Sequence, residues 1–365
     1  MRTAIKTSWG FLSARQKVIY AVLIVGRLSA NILDLAGIAA IGLLVMAVAS
    51  GEIDFDLAGL YRLQIDETPP EFIAGLVVLA AVSFLLKASF NLLLQLALVK
   101  FMAGIEVRAS RQLAEYLLTG SLGELRRYSQ ADIQYAVNAS TTAMYSGILN
   151  AIASIITDTA LMLTILGAFL LLNPLAAIVV FVYLVIVIVA IQYVIGARLK
   201  QIGRDVNKGS IASTGSILDS VASFREVAVL KKQSYFLRRF SDARWLLAKT
   251  KATQVVLKSV PRLIIEQGLM IGVLGFVGWQ ILSNGAASGL AFVGVFVVGS
   301  IRIIGAVIPV QANYSTLKTT VVKAEMAQQL QIERKERAAE REAAYQALQA
   351  SPPLDSVLEQ KAGKR

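Results

Sequence analysis

The sequence predicts an all-α integral membrane protein whose six transmembrane helices extend into the cytoplasm as long intracellular loops. Three observations predict it. The composition is 56% hydrophobic and only 16% charged, with a mean hydropathy of +0.63, outside the range of soluble domains. Several windows reach the roughly 20 apolar residues that cross a hydrocarbon core. Between them lie long charged stretches rich in helix formers and poor in Gly and Pro clusters.

The spans follow in order: Lys17 to Ser50, Phe72 to Val99, Ser140 to Leu172, Pro174 to Ala197, Ala252 to Ser283 and Leu290 to Val310. The fourth contains Leu175 to Ala197, which carries no charge at all. The amino terminus has basic residues but no short apolar core followed by a small-residue cleavage site, so the first span is expected to remain as an anchor. Arg2, Lys6, Arg15 and Lys17 precede it without an acid, whereas Gly51 to Glu71 holds six acids and one base. The positive-inside rule then places the amino terminus in the cytoplasm. Asn173-Pro174 and Ser283 to Gly289 are short and uncharged, as expected of turns on the far side. Lys100 to Ser140 and Arg198 to Lys251 face the cytoplasm; the second holds twelve bases against four acids. Both are expected to be membrane helices running on into water, each pair joined at the bottom by a short turn or transverse helix.

No cysteine and no histidine occur, which excludes disulfides, Cys/His metal sites and histidine-based catalysis. No catalytic residues and no metal site stand out. The net charge of +12 fits basic loops beside anionic membrane lipid rather than nucleic acid. Ionisable groups inside spans are the default functional candidates: Arg27 and Asp34, two turns apart on one helix face, with Lys87, Asp158 and Arg302. The fifth helix adds Arg262 and Glu266, an i, i+4 pair beside Pro261. Each also has a plain structural reading, as a snorkelling or mutually paired side chain.

The segment Ile217 to Ala243, "ILDSVASFREVAVLKKQSYFLRRFSDA", resembles the second intracellular loop of ABC exporter membrane domains. "QADIQYAVNAS" resembles the start of their third helix, and "NYSTLKTTVVKAEMAQQLQI" the exit from their sixth. The likeness covers Lys17 to Ile332. It implies a transmembrane domain over 1–332 and a charged helical, then disordered, cytoplasmic tail over 333–365, the helix ending near Pro352-Pro353 as a solvated extension. It also implies coupling helices that dock on an ATPase, formed by Leu122, Leu125, Arg126 and Tyr128 in the first loop and Ser223, Phe224, Arg225 and Glu226 in the second.

Single-chain members of that family continue into an ATPase domain with a Gly-x-x-x-x-Gly-Lys-Ser/Thr loop that cradles phosphate. That pattern is absent from this sequence, so the chain is expected to bind no cofactor itself, with ATP and Mg used by a nucleotide-binding subunit in trans. The resemblance further implies a homodimer or a heterodimer with a similar half, in a bacterial inner membrane with both termini cytoplasmic. The implied role is the permease of an ATP-driven exporter. "SVPRLIIEQG" at Ser259 to Gly268 resembles lipid-linked oligosaccharide flippases, whose cavity arginines engage pyrophosphate; this makes Arg262, Arg302 and Arg27 candidates for an anionic head group. Two other readings stand beside it: a degenerate exporter half that acts as a non-transporting interaction protein, and a secondary transporter coupled to protons through Asp34, Asp158 or Glu266.

Overall fold

The computed structural model describes residues 2–50, 53–56, 62–65, 69–120, 122–172, 174–284 and 286–350. Its elements are α1 (Arg2–Gly10), α2 (Ala14–Ser50), strands β1 (Ile53–Asp56) and β2 (Arg62–Ile65), α3 (Pro70–Leu118), α4 (Leu122–Leu125), α5 (Gln130–Tyr135), α6 (Ile148–Leu172), α7 (Pro174–Ala222), α8 (Phe224–Val229), α9 (Gln233–Asn284) and α10 (Ala286–Ala350). Two wide π-type segments, Ala136–Ser140 and Ala143–Gly147, join α5 to α6.

The long helices exceed any bilayer. The 49 residues of α3 would measure about 73 Å at about 1.5 Å per residue, against a hydrocarbon core of about 30 Å. The surplus therefore runs into water, and the sequence pattern changes to suit. Near the α3 amino terminus, exposed Val77, Val78, Leu79, Val82, Leu85 and Leu86 present an apolar surface suited to lipid. Further along, burial narrows to a stripe at Leu98, Met102, Ile105, Ala109, Leu113 and Leu117, the spacing of an amphipathic helix. Among the described residues four helices are long and apolar enough to span a membrane: Ala14–Leu33, Pro70–Leu118, Gln130–Gly167 and Val185–Ala222. The expected fifth and sixth spans lie on α9 and α10, where many side chains fall outside the described residues.

Local signals explain the element ends. Pro70 opens α3, where a missing N–H costs nothing. At α2 the Ser13 amide donates to Gln16 Oε1 (2.9 Å) and the Gln16 amide to Ser13 Oγ (3.4 Å). The same reciprocal box begins α5, between Ser129 and Asp132. After α8 the chain reverses through Lys231, with φ of 53°, while the Lys232 amide donates to Val227 O at 3.1 Å. This is the left-handed helix stop that usually takes glycine. The acidic loop expected between the first two spans contains a feature the all-helical expectation lacked: an antiparallel hairpin pairing Ile53 with Ile65 and Asp56 with Arg62.

The bundle is organised around α10, which packs against α6, α7 and α9 and also meets α1, α2, α3 and both π segments. The largest core joins Tyr20 and Ile24 of α2, Leu98 to Leu113 of α3, Met144 and Tyr145 of the second π segment with Ile148 to Ala153 at the start of α6, and Leu317 to Leu330 of α10. A second, smaller core holds Ile165, Ile191, Ile195, Ile265 and Val307. Polar ties lock these helices in register. The Tyr20 hydroxyl donates to Leu149 O (2.7 Å), and Asn207 Nδ2 donates to Val322 O (3.0 Å). Ser140 Oγ enters the α10 ladder, donating to Lys323 O (2.7 Å) while accepting from the Ala327 amide (2.9 Å).

Two positions test this packing. A Cβ on Gly147 would overlap Thr320 Cγ2, and Thr320 is buried and β-branched, so it has few rotamers to escape into. Gly147→Val should cost about 1–3 kcal/mol, read as a lower thermal midpoint in detergent, while Gly104→Ala, with open space around it, should leave the midpoint unlowered. Lys231→Gly should raise stability by about 1 kcal/mol by relieving the left-handed backbone, visible in the same melt.

Candidate functional site

Polar groups meet inside the bundle where α2, α6 and α10 converge. Arg27 of α2 is 8% exposed, and its Nε and Nη1 find no hydrogen-bond partner. Its charge reaches the Asp158 carboxylate on α6. Asp158 in turn accepts from Asn313 Nδ2 of α10 at 3.2 Å, and Asn31 Nδ2 of α2 donates to Thr157 O at 3.4 Å. The fold thus brings together two residues that the sequence singled out separately, Arg27 and Asp158. The side chains of Asp34 and Arg302 lie outside the described residues, and Lys87 is half-buried on α3.

Arg262 and Glu266 do pair on α9, at 3.7 Å, but with side chains 65% and 40% exposed. An ion pair so open contributes little. The sequence reading missed a second polar chain, between α7 and α10. Gln192 Nε2 donates to Gln311 Oε1 (2.9 Å), and Lys318 Nζ donates to Gln192 Oε1 (2.7 Å) while lying 4.9 Å from the Tyr314 ring centroid. The available signal was Gln192 itself, the single amide side chain in the uncharged stretch Leu175 to Ala197.

At the long-loop end, α8 caps the α7–α9 hairpin. Val227 is buried and seats the short helix, whereas Phe224 is 69% exposed with Arg225 and Glu226 also exposed, and Ser223 half-buried. Val229 and Leu230 add apolar surface. A shallow groove beside α8 is lined by Ser223, Glu226, Val227, Leu230, Tyr235 and Phe236. In the first loop Leu125 and Tyr128 are half-buried and Arg126 is exposed; the Leu122 side chain lies outside the described residues.

The start of the charged tail is not simply solvated. α10 continues unbroken past Ile332, and the Tyr128 hydroxyl donates to Glu333 Oε2 (3.1 Å). Arg334 Nη1 donates to Gln112 Oε1 (2.6 Å), and the Arg337 guanidinium lies 4.6 Å from the Tyr116 ring centroid. Burial, and then the Glu333 carboxylate, hold the Tyr128 phenol above its usual pKa, so it stays a donor at neutral pH. Sequence alone missed this strap because its partners are some 200 residues apart, Tyr128 to Glu333 spanning 205. Residues 351–365 lie outside the described residues. Among the described residues no group of three or more carboxylates is placed to hold a metal.

The two α9 and α2 arginines should behave differently. Arg262→Ala is expected to change stability by less than about 1 kcal/mol, whereas Asp158→Ala, which strips Asn313 of its acceptor and Arg27 of the nearby opposite charge, should cost about 2–3 kcal/mol; detergent unfolding curves compare them.

A family model described as the ABC transporter transmembrane region matches residues 63–317. Among solved structures, a bacterial Atm1-family ABC exporter with ATP bound has this fold, with a TM-score of 0.64 at 13% identity over 87% of this chain and 53% of that one. This chain therefore spans about half the length of that exporter. No curated protein matches the sequence. With its helices continuing far beyond the apolar belt and the polar helix α10 at the centre, the chain belongs to the ABC transporter transmembrane region family.

Proposed function

We propose that the chain is the membrane-spanning permease of an ATP-driven ABC exporter, moving an amphipathic substrate such as a lipid or lipid-linked glycan. Two such units, identical or similar, would enclose one path with six crossings each, in a bacterial inner membrane with both termini cytoplasmic. ATP and Mg would be used by a nucleotide-binding domain beneath the long loops, and its closure would push on α4 and α8 to switch the path between inward-facing and outward-facing states.

One observation carries this reading: Phe224, 69% exposed at the tip of a hairpin far from the lipid-facing belt. A large aromatic held in water, rimmed by Arg225 and Glu226, has the make-up of a protein-contact anchor. Leu122, Leu125, Arg126 and Tyr128 would play the matching part in the first loop. Arg27 and Asp158, with Asp34, Lys87 and Arg302, would line or brace the path; Arg262 and Glu266 would contribute only at its edge.

The test is purification from native membranes in mild detergent followed by mass spectrometry. A nucleotide-binding ATPase is expected to copurify, and Phe224→Asp should weaken that association by at least about tenfold, as for a central aromatic anchor. Recovery of self-dimers alone, with no ATPase even after crosslinking, would instead establish the non-transporting half.

A further inference from the structure

Other described ionisable groups of the bundle have an opposite charge or an acceptor at hand: Arg262 pairs with Glu266, Lys318 donates to Gln192, and the Arg27 charge reaches Asp158. Three lysines at the α9–α10 contact do not. Lys251 and Lys258 are seven residues apart on α9, hence on nearly one face, and Lys323 comes from α10, which packs against it. Lys323 feels the charge of Lys251, and Lys258 feels the charge of Lys323. Lys258 and Lys323 are half-buried. Burial, and then the Lys251 charge, push the Lys323 ammonium below its usual pKa. Among the described residues no carboxylate lies within ion-pair distance of the three.

A second observation points the same way. Gln254 lies between the two α9 lysines, three residues after one and four before the other, on the same helix face. It is 8% exposed, yet its Nε2 has no hydrogen-bond partner. Buried amide donors are normally satisfied. Repulsion of the Lys323 ammonium with Lys251 and Lys258 and an orphaned N–H donor on the helix face between those two lysines are both relieved by the same thing, an oxygen-rich anion.

We propose that Lys251, Gln254, Lys258 and Lys323 form a binding site for a phosphate-bearing ligand. The three ammonium groups act as point charges from two helices and the Gln254 amide supplies a directed donor, a set that suits a tetrahedral phosphate oxyanion better than the planar carboxylate that a guanidinium fork selects. The role of the site as the substrate's head-group station rests on the exporter reading above; the binding itself does not. The phosphate is either the head group of a membrane lipid or part of a soluble anion, and the experiment separates the two.

The full chain is reconstituted in nanodiscs of phosphatidylcholine alone, and inorganic pyrophosphate is titrated while the thermal midpoint is followed. A parallel set replaces a fifth of the phosphatidylcholine with phosphatidylglycerol. A midpoint raised by pyrophosphate supports a soluble phosphate ligand, and one raised only by phosphatidylglycerol supports a lipid head group. The triple variant Lys251→Gln, Lys258→Gln, Lys323→Gln should weaken the responding interaction by at least about tenfold, and Gln254→Leu should weaken it less. In phosphatidylcholine discs without pyrophosphate or phosphatidylglycerol the triple variant should melt above the wild type, because the repulsion is gone; a purely structural role for the lysines predicts the reverse. Lys→Arg at the three positions should keep the response and shows that a loss is not misfolding. No response to either anion, or a triple variant that responds like wild type, overturns the site. If phosphate binding fails while an ATPase still copurifies, only the site is lost; if binding holds and no ATPase is found, the site stands and the exporter reading falls.

Discussion

A polar helix buried at the centre of an apolar bundle sets the terms for the rest of this fold. Along α10, Gln311, Ser315, Thr319, Thr320, Gln328 and Gln331 are all at most 8% exposed. Each needs a partner, because an unpaired buried polar group costs about 1–3 kcal/mol. Two of the partners come from other helices, Gln192 of α7 for Gln311 and Ser8 of α1 for Gln328, while Thr319 bonds Thr316 O within α10 and Gln331 Nε2 is left without one. The α10 backbone is used too, with Ser140 bonded at Lys323 and Ala327, and Asn207 at Val322. These bonds specify one register in a way that apolar contact does not, since sliding by one residue would break them together. The π segments before α6 fit the same logic: they widen the turn where Ser140 and Gly147 reach α10, and Gly147 lets the Thr320 methyl approach.

The second constraint is length. Helices of 49, 52 and 65 residues pass from a medium that rewards apolar surface everywhere to one that rewards it on one face only. The Lys and Arg residues gather on the watery portion, and the lipid-facing belt is left open. This division carries displacement well: a rigid rod transmits a push at its tip to the polar contacts of its buried half. The strap from Tyr128 to Glu333 ties the first loop to the far end of α10.

Within the candidate site, legibility followed chemistry rather than proximity. Arg27 and Asp158 stood out as charges in apolar sequence, and the approach of Arg27 to an Asp158 held by Asn313 depends on three helices meeting. Arg262 and Glu266 looked equally promising from their i, i+4 spacing, yet helix geometry makes such neighbours pair on any surface, and here the pair is exposed. Uncharged amides were passed over although they do much of the joining, as Gln192, Gln311 and Asn313 illustrate. From sequence Lys251 counts only among the bases of the second long loop, and Lys258 and Lys323 are not singled out. Only the packing of α9 on α10 turns them into a cluster.

By itself the sequence determined the medium, the helical class and the transition from bilayer to water, because these depend on local composition and period: hydropathy over about 20 residues and apolar spacing along one turn. It also marked turns at Asn173-Pro174 and Ser283 to Gly289, where turn chemistry is local. Tertiary structure alone decided that the polar sequence 311–331 lies at the centre rather than at an exit to solvent, that the tail's first turns strap onto Tyr128, and that three unpaired lysines face one another. Those facts turn on which surfaces meet across more than a hundred residues of chain, and hydrogen-bond satisfaction and charge balance are properties of the meeting, not of either segment alone.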